Sequence, residues 1–446
     1  MRKLFSFLFL LILIGVIASP AITGYFSRSK HEDFWRQAAE KTSSTLQVLE
    51  TKVGFLSSTS KLRFNPSGKL MAEFMEGFNG SAASDTEPPS LTIESKMFHG
   101  LVPFQAPTGG DPSLAKIRST INFTLEGQNF DLPGYLDTTY DLMGGTNFRY
   151  QVDQGSKEVN LGLKSAMVDW GTLNLNIDMS RDEKKVTSNG RFDGVTANFD
   201  DSEFGIGKTT LELDQSKSKY DLWTGKATYL IDRIYGKENG FDQALFELSQ
   251  INMTGIADID NELFSYDLSM GASDLDIAEA QDMSFDMSML VKNLHAPSLK
   301  KLQDAGRKMQ SGAGAGDMTA LNDVMQSVNT LFSQGPSVQL EKFLFKTPAG
   351  DVEANANFSL PPSDGGLNPF TVMMEVKGNA SIKIPRILAH RMAERAGQGG
   401  QLTMLIDQGF LIATGDVYVI EAEYENAQLF VNNREIPVPF GGPTGF

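Results

Sequence analysis

The chain has no cysteine, only 3 tryptophans and 4 histidines in 446 residues, and 39 Lys and Arg against 55 Asp and Glu. Each shortage excludes something. Without thiols there can be no disulfide, no thiolate metal site and no cysteine nucleophile. His31, His99, His295 and His390 never fall two to an element at metal-ligand spacing. A formal charge of −16 without a strong basic patch repels nucleic acid, so none is expected as a partner. No serine stands in a Gly-x-Ser-x-Gly elbow. No catalytic, cofactor-binding or metal-binding residue is nominated, no cofactor is expected, and the chain is not read as an enzyme.

One long hydrophobic run is present, at the N-terminus. Arg2 and Lys3 precede Leu4 to Ile22, interrupted only by Ser6, Gly15, Ser19 and Pro20. As a helix this run spans about 28 Å at ~1.5 Å per residue, close to a bilayer core of ~30 Å. A cleaved signal peptide is the alternative, with Val16-Ile17-Ala18 and Ser19-Pro20-Ala21 as weak cleavage sites. The run is long for a signal, so an uncleaved anchor is expected, with Arg2 and Lys3 inside and the acidic bulk outside. The expected location is therefore the bacterial inner membrane, single-pass, with the body in the periplasm. Next, Phe34, Trp35, Ala38, Ala39, Thr42, Leu46 and Leu49 recur at helical spacing, predicting an amphipathic helix over 31–49.

Beyond that, Phe (30) and Gly (42) are abundant and the pattern changes to period two. Leu173, Leu175, Ile177 and Met179 alternate with Asn174, Asn176 and Asp178. The same alternation covers 121–125, 264–270, 283–289 and 352–360. Successive strand residues point to opposite faces, so each segment has one apolar and one wet face, the mark of antiparallel sheet. Gly144-Gly145, Asn189-Gly190, Asp193-Gly194 and Asn239-Gly240 read as turns. Two helical interludes interrupt the strands. One covers about 298–334, split by Ser311 to Gly316; the other follows Pro385 and carries Arg386, His390, Arg391, Glu394 and Arg395.

The fold class is mainly β (α+β): an N-terminal transmembrane helix and an extended antiparallel body with a few helices. The expected segments are 1–26 anchor or signal, 27–56 amphipathic juxtamembrane helix, and 57–297 β-rich body. A helical insert at 298–335 and a C-terminal β segment at 336–446, with a helix near 386–408, complete the chain.

Three patterns imitate chemistry. Gly205-Ile206-Gly207-Lys208-Thr209 ends like a phosphate-binding loop, but Ser202 replaces its first glycine and strand-like sequence follows, so it reads as a turn. Asp258-Ile259-Asp260-Asn261-Glu262 begins like a calcium loop, but Leu263 stands where the glycine belongs; it reads as an acidic hairpin. Between Lys237 and Lys292 there are twelve Asp or Glu and no Lys or Arg. That stretch reads as a solvated sheet face, with a surface for a basic partner or divalent cations as the sharper alternative.

Several stretches carry a family resemblance. Phe98-His99-Gly100-Leu101-Val102-Pro103-Phe104 resembles the His-Gly-Pro-apolar-Pro segment of the YdgA-like bacterial envelope proteins, with Leu101 in place of a proline. Gly378 to Arg386 resembles their strand leading into a helix. Ala422 to Ile436 resembles their closing hairpin, with Ala427 and Asn433 where that family tends to have glycine. The resemblance implies an inner-membrane anchor through residues 4–22, a periplasmic β-rich body and self-association; it implies no reaction and no catalytic residue. Two functions remain: a structural envelope protein that meets protein partners, and a lipid-binding or lipid-transfer β-groove resembling AsmA-type proteins. Period-two alternation suits both, because a closed sandwich and an open trough each need one apolar face per strand.

Overall fold

The computed structural model describes His31, Asp33, Arg36 and most of residues 45–436. It leaves out 55, 66–89, 101–102, 104, 110–111, 126–127, 162–163, 241–243, 278–279, 311–317 and 364–373. The apolar run 4–22 lies outside the described residues. Among those described, no helix is long and apolar enough to cross a membrane. The chain is mainly β, and the strand pairs described below are all antiparallel. It divides into two compact units, Met1–Gly155 with Gly171–Phe192, and Ser156–Trp170 with Asp193–Phe446.

In the first unit the strands Thr45–Val53, Ser57–Asn65, Ser90–His99 and Ala115–Leu125 pair in sequence order. Tyr135–Tyr140, Thr146–Val152, Leu173–Met179 and Lys185–Phe192 continue the sheet. Leu62, Ile93, Met97 and Ile117 are fully buried, and Met97, Ala115, Ile117 and Tyr140 form the core cluster. Arg118 holds the buried Asp137 through two bonds of 2.7 Å.

Two expectations fail here. His31, Asp33 and Arg36 are helical, but Thr45–Val53 is a strand, so the helix predicted over 31–49 does not reach its end. Thr45, Val48, Thr51 and Val53 are β-branched, and pairing with Ser57–Asn65 outweighs the helical spacing of Leu46 and Leu49. Asn189-Gly190 is also no turn: it lies inside a strand, opposite Asn176 and Leu175. The reversal occurs earlier, where Ser180 Oγ accepts the Lys184 and Lys185 backbone N–H groups and Glu183 takes φ 55°. The other three turn signals hold positive-φ glycines, Gly144, Gly194 and Gly240.

The second unit is a long meander. Ser202–Ile206 and Thr209–Lys217 share one edge of Trp223–Glu238. From there Ala244–Asp260, Leu263–Ile277, Ala280–His295, Ser337–Thr347, Gly350–Ser359, Lys377–Pro385 and Val417–Glu425 pair successively. Gln428–Val431 and Arg434–Ile436 close it. The helices Ala296–Gln310 and Met318–Ser333 occupy the predicted insert, and Arg386–Arg395 and Gly399–Asp407 the region near 386–408. The latter pair covers a small core of Leu402, Leu411 and Tyr418.

Three hairpins turn on two residues that both have positive φ: Asn261-Glu262, Asn426-Ala427 and Asn432-Asn433. This is the type I′ turn, whose twist matches that of the strands. Ala427, at φ 60°, is the misfit, because an L-residue with an unhelpful side chain pays about 1 kcal/mol there. Ala427→Gly is expected to raise stability by about 1 kcal/mol, read as a higher urea midpoint at unchanged slope.

Candidate functional site

The second unit's register aligns apolar side chains across strands as well as along them. Leu211, Tyr229, Met253, Met270 and Met287 stand opposite one another on five neighbouring strands. Phe343, Ala354, Ile382 and Ile420 extend the row over four more. At ~4.8 Å per strand, nine strands span about 38 Å. A second row on the same face runs through Leu268, Met289, Leu340, Ala356, Ala380 and Ala422. The opposite face is wet, with Glu212, Thr228, Thr254, Ser269, Ser288 and Lys342 in register.

This apolar face is not a closed core. Its residues are half-buried or exposed; Met253 is 43% and Phe358 46% accessible. Glycines keep the face low. The ring of Phe358 lies across Gly378, where a Cβ would come within 2.6 Å of it, and the Tyr266 hydroxyl sits equally close over Gly255. Laid flat in this way, the aromatics line the surface instead of standing up from it. Three methionines in line, Met253, Met270 and Met287, add side chains that adapt to whatever lies on them. The polar atoms the aromatics bring to this face are the hydroxyls of Tyr229 and Tyr266.

The first unit contains a different feature, a buried polar cluster. Ser60, Ser95 and Ser119 lie opposite each other on three strands. Ser95 Oγ is 2.8 Å from Ser119 Oγ and 3.1 Å from Nε2 of His31. Burial lowers the His31 pKa to about 4. Two residues along the same strand from Ser60, Ser58 Oγ and His99 Nε2 are 2.7 Å apart, and burial lowers the His99 pKa too. A serine 2.7 Å from an imidazole is the geometry of a nucleophile and its base. Here, though, both residues are over nine-tenths buried and His99 Nδ1 has no hydrogen-bond partner among the described residues. Among the described residues no third group orients this imidazole, and the pair forms a hydrogen bond inside the core. The sequence carries no signal for it, since the two residues are 41 positions apart.

The model of the family DUF945, bacterial proteins of unknown function, matches residues 1–439. The chain belongs to that family. No curated protein and no solved structure matches it.

In this DUF945 protein the remaining sequence candidates are dispersed. His295 Nδ1 lies 2.8 Å from Ser298 Oγ at the start of a helix, and His390 Nε2 lies 3.0 Å from the Tyr418 hydroxyl. Gly207-Lys208 links two strands on one edge of Trp223–Glu238, with the Gly207 N–H donating to the Arg233 carbonyl; no helix follows that would aim N–H groups at a phosphate. The calcium-like stretch is the hairpin turning at Asn261-Glu262. Among the described residues no three His, Asp or Glu side chains gather where they would hold a metal ion. Those of the twelve acidic residues that are described are spread along four strands and the turn at Glu262, and Asp286 is paired with Lys342.

Proposed function

We propose that this protein is a non-enzymatic, inner-membrane-anchored periplasmic protein whose second unit holds the acyl chains of a lipid. The observation that supports the reading is the continuous apolar row across nine strands, left half-exposed. Soluble surfaces seldom keep contiguous apolar patches beyond several hundred Å² unless something binds there. An acyl chain asks for what the face supplies: width, adaptable methionines and few directional polar groups. An anchor at residues 4–22 would hold this face beside the membrane that supplies the lipid.

The test is to extract the full-length protein from membranes in mild detergent and look for retained lipid by native mass spectrometry. The parent is expected to carry lipid. Met253→Asp with Phe358→Asp is expected to lose most of it while keeping its β circular-dichroism spectrum, because both side chains are already exposed. Failure to find lipid on the parent under any mild extraction would sink the reading. It would leave a structural protein whose apolar face meets a protein partner.

A further inference from the structure

The helix pair Arg386–Arg395 and Gly399–Asp407 has two unlike sides. Its inner side is accounted for. Ala389, Ala393 and Ile406 pack on the core of Leu402, Leu411 and Tyr418. Its outer side carries large apolar side chains in the open: Ile387 is 59% accessible, Met392 62%, Met404 50% and Leu405 38%. At 100° per residue, Ile387, Arg391, Glu394 and Arg395 fall on the half of the first helix opposite Ala389 and Ala393, and Met392 lies at its border. Of the pair's three arginines, Arg386 lies over the ring of the core residue Tyr418 and donates to the Gly415 carbonyl, which leaves Arg391 and Arg395 for the outer side, in a chain whose overall formal charge is −16.

We propose that this outer side is a membrane-surface contact that docks on anionic lipid headgroups. Exposed apolar residues interleaved with arginines on short amphipathic helices match an interface that is negative at the surface and apolar just beneath. Arginine suits it doubly, since its stem lies along apolar surface while its head reaches phosphate. The four exposed apolar side chains come from two helices. A fluid bilayer accommodates them without a matching pocket for each, which a folded partner would need. Charge favours an anionic membrane: in a chain of formal charge −16, the outer half of the first helix carries Arg391 and Arg395 against the single carboxylate of Glu394. The contact is distinct from acyl-chain binding on the sheet face and stands without it. Together they would place the end of strand Lys377–Pro385, which runs straight into the first helix, at the lipid surface.

The absence of cysteine makes the test direct. Met404→Cys, Met392→Cys and, as a control on the wet face, Glu212→Cys are each made in the full chain and labelled with an environment-sensitive fluorophore. Each protein is reconstituted with vesicles of phosphatidylcholine alone or mixed with phosphatidylglycerol. Labels at 392 and 404 are expected to shift blue with phosphatidylglycerol and to be quenched by doxyl-labelled lipid, while the label at 212 stays unchanged. Arg391→Glu with Arg395→Glu in the Met404→Cys protein is expected to return the signal to that in phosphatidylcholine alone, as is high salt. Equal signals at 404 in both vesicles, or quenching no greater than at 212, would overturn the proposal. So would a blue shift that appears without lipid and grows with protein concentration, since that would identify contact between copies of the chain. Retention of lipid on the sheet face is read separately by mass, so the two ideas fail independently.

Discussion

Replacing Asn432 with alanine is expected to cost the second unit about 3 kcal/mol or more, the sum of lost hydrogen bonds and left-handed backbone strain. Asn432 is over nine-tenths buried in the C-terminal hairpin turn. Its Oδ1 accepts the Glu421 backbone N–H at 2.8 Å, and its Nδ2 donates to the carbonyls of Phe410 at 2.9 Å and Val419 at 3.2 Å. One amide thus ties the turn to the central strand and to the segment leaving the last helix. Each buried group stranded by its removal carries a desolvation penalty of about 1–3 kcal/mol. Asn432 also sits at φ 48°, which asparagine tolerates better than alanine. Asn432→Gly separates the two costs, because it loses the hydrogen bonds without backbone strain. Asn432→Asp should be as damaging as alanine, since a carboxylate has no donor for the carbonyls it would face. Urea unfolding of the four proteins checks the order: parent, glycine, then alanine and aspartate. A parent-like midpoint for alanine would show that water replaces the amide.

That residue also marks where sequence reading stops. Asn432-Asn433 is legible as a turn, because few other pairs adopt two positive φ angles readily. The bonding of the Asn432 side chain is not legible, since Glu421, Val419 and Phe410 lie 11 to 22 residues away and are set by how the helices fold back. The strands themselves were readable. A sheet with one wet face writes a period of two: 173–179, 264–270 and 283–289 fall inside strands, and 352–360 runs one residue past the end of its strand.

Alternation, however, says nothing about which residue stands opposite which. The row from Leu211 to Ile420 depends on every turn length and on bulges such as that between Ser288 and Met289. Glu341 takes up the bulge there and keeps Met289 opposite Leu340 on the apolar face. A one-residue slip without it would have turned the row to water. The misplaced helix end has a similar cause. Local spacing favoured helix at Leu46 and Leu49, and a partner strand eight or more residues on decided otherwise.

The polar cluster of the first unit leads to the other large effect, a stability that begins to fall as soon as the pH drops below about 6.5. His31 is buried against Ser95 with its pKa held near 4, from an ordinary value of 6.5, because the interior disfavours the imidazolium. Between those two values the unfolded chain binds a proton that the folded chain refuses. Stability is therefore full above pH 6.5, falls with decreasing pH, and stops falling from this source below about pH 4. A depression of this size corresponds to about 3 kcal/mol at 1.36 kcal/mol per pH unit. His99, also lowered by burial, acts in the same direction. Glu50, Glu203, Asp221 and Glu262, whose pKa values are lowered by their partners, add losses only at more acid pH. His31→Gln keeps a polar group for Ser95 and removes the titration. Urea midpoints at pH 7 and pH 5 should differ markedly for the parent and much less for His31→Gln. An equal acid loss in both proteins would show that His31 leaves its buried site, or is solvated, before it takes up a proton. The helix that carries it would then undock from the serine row at little cost.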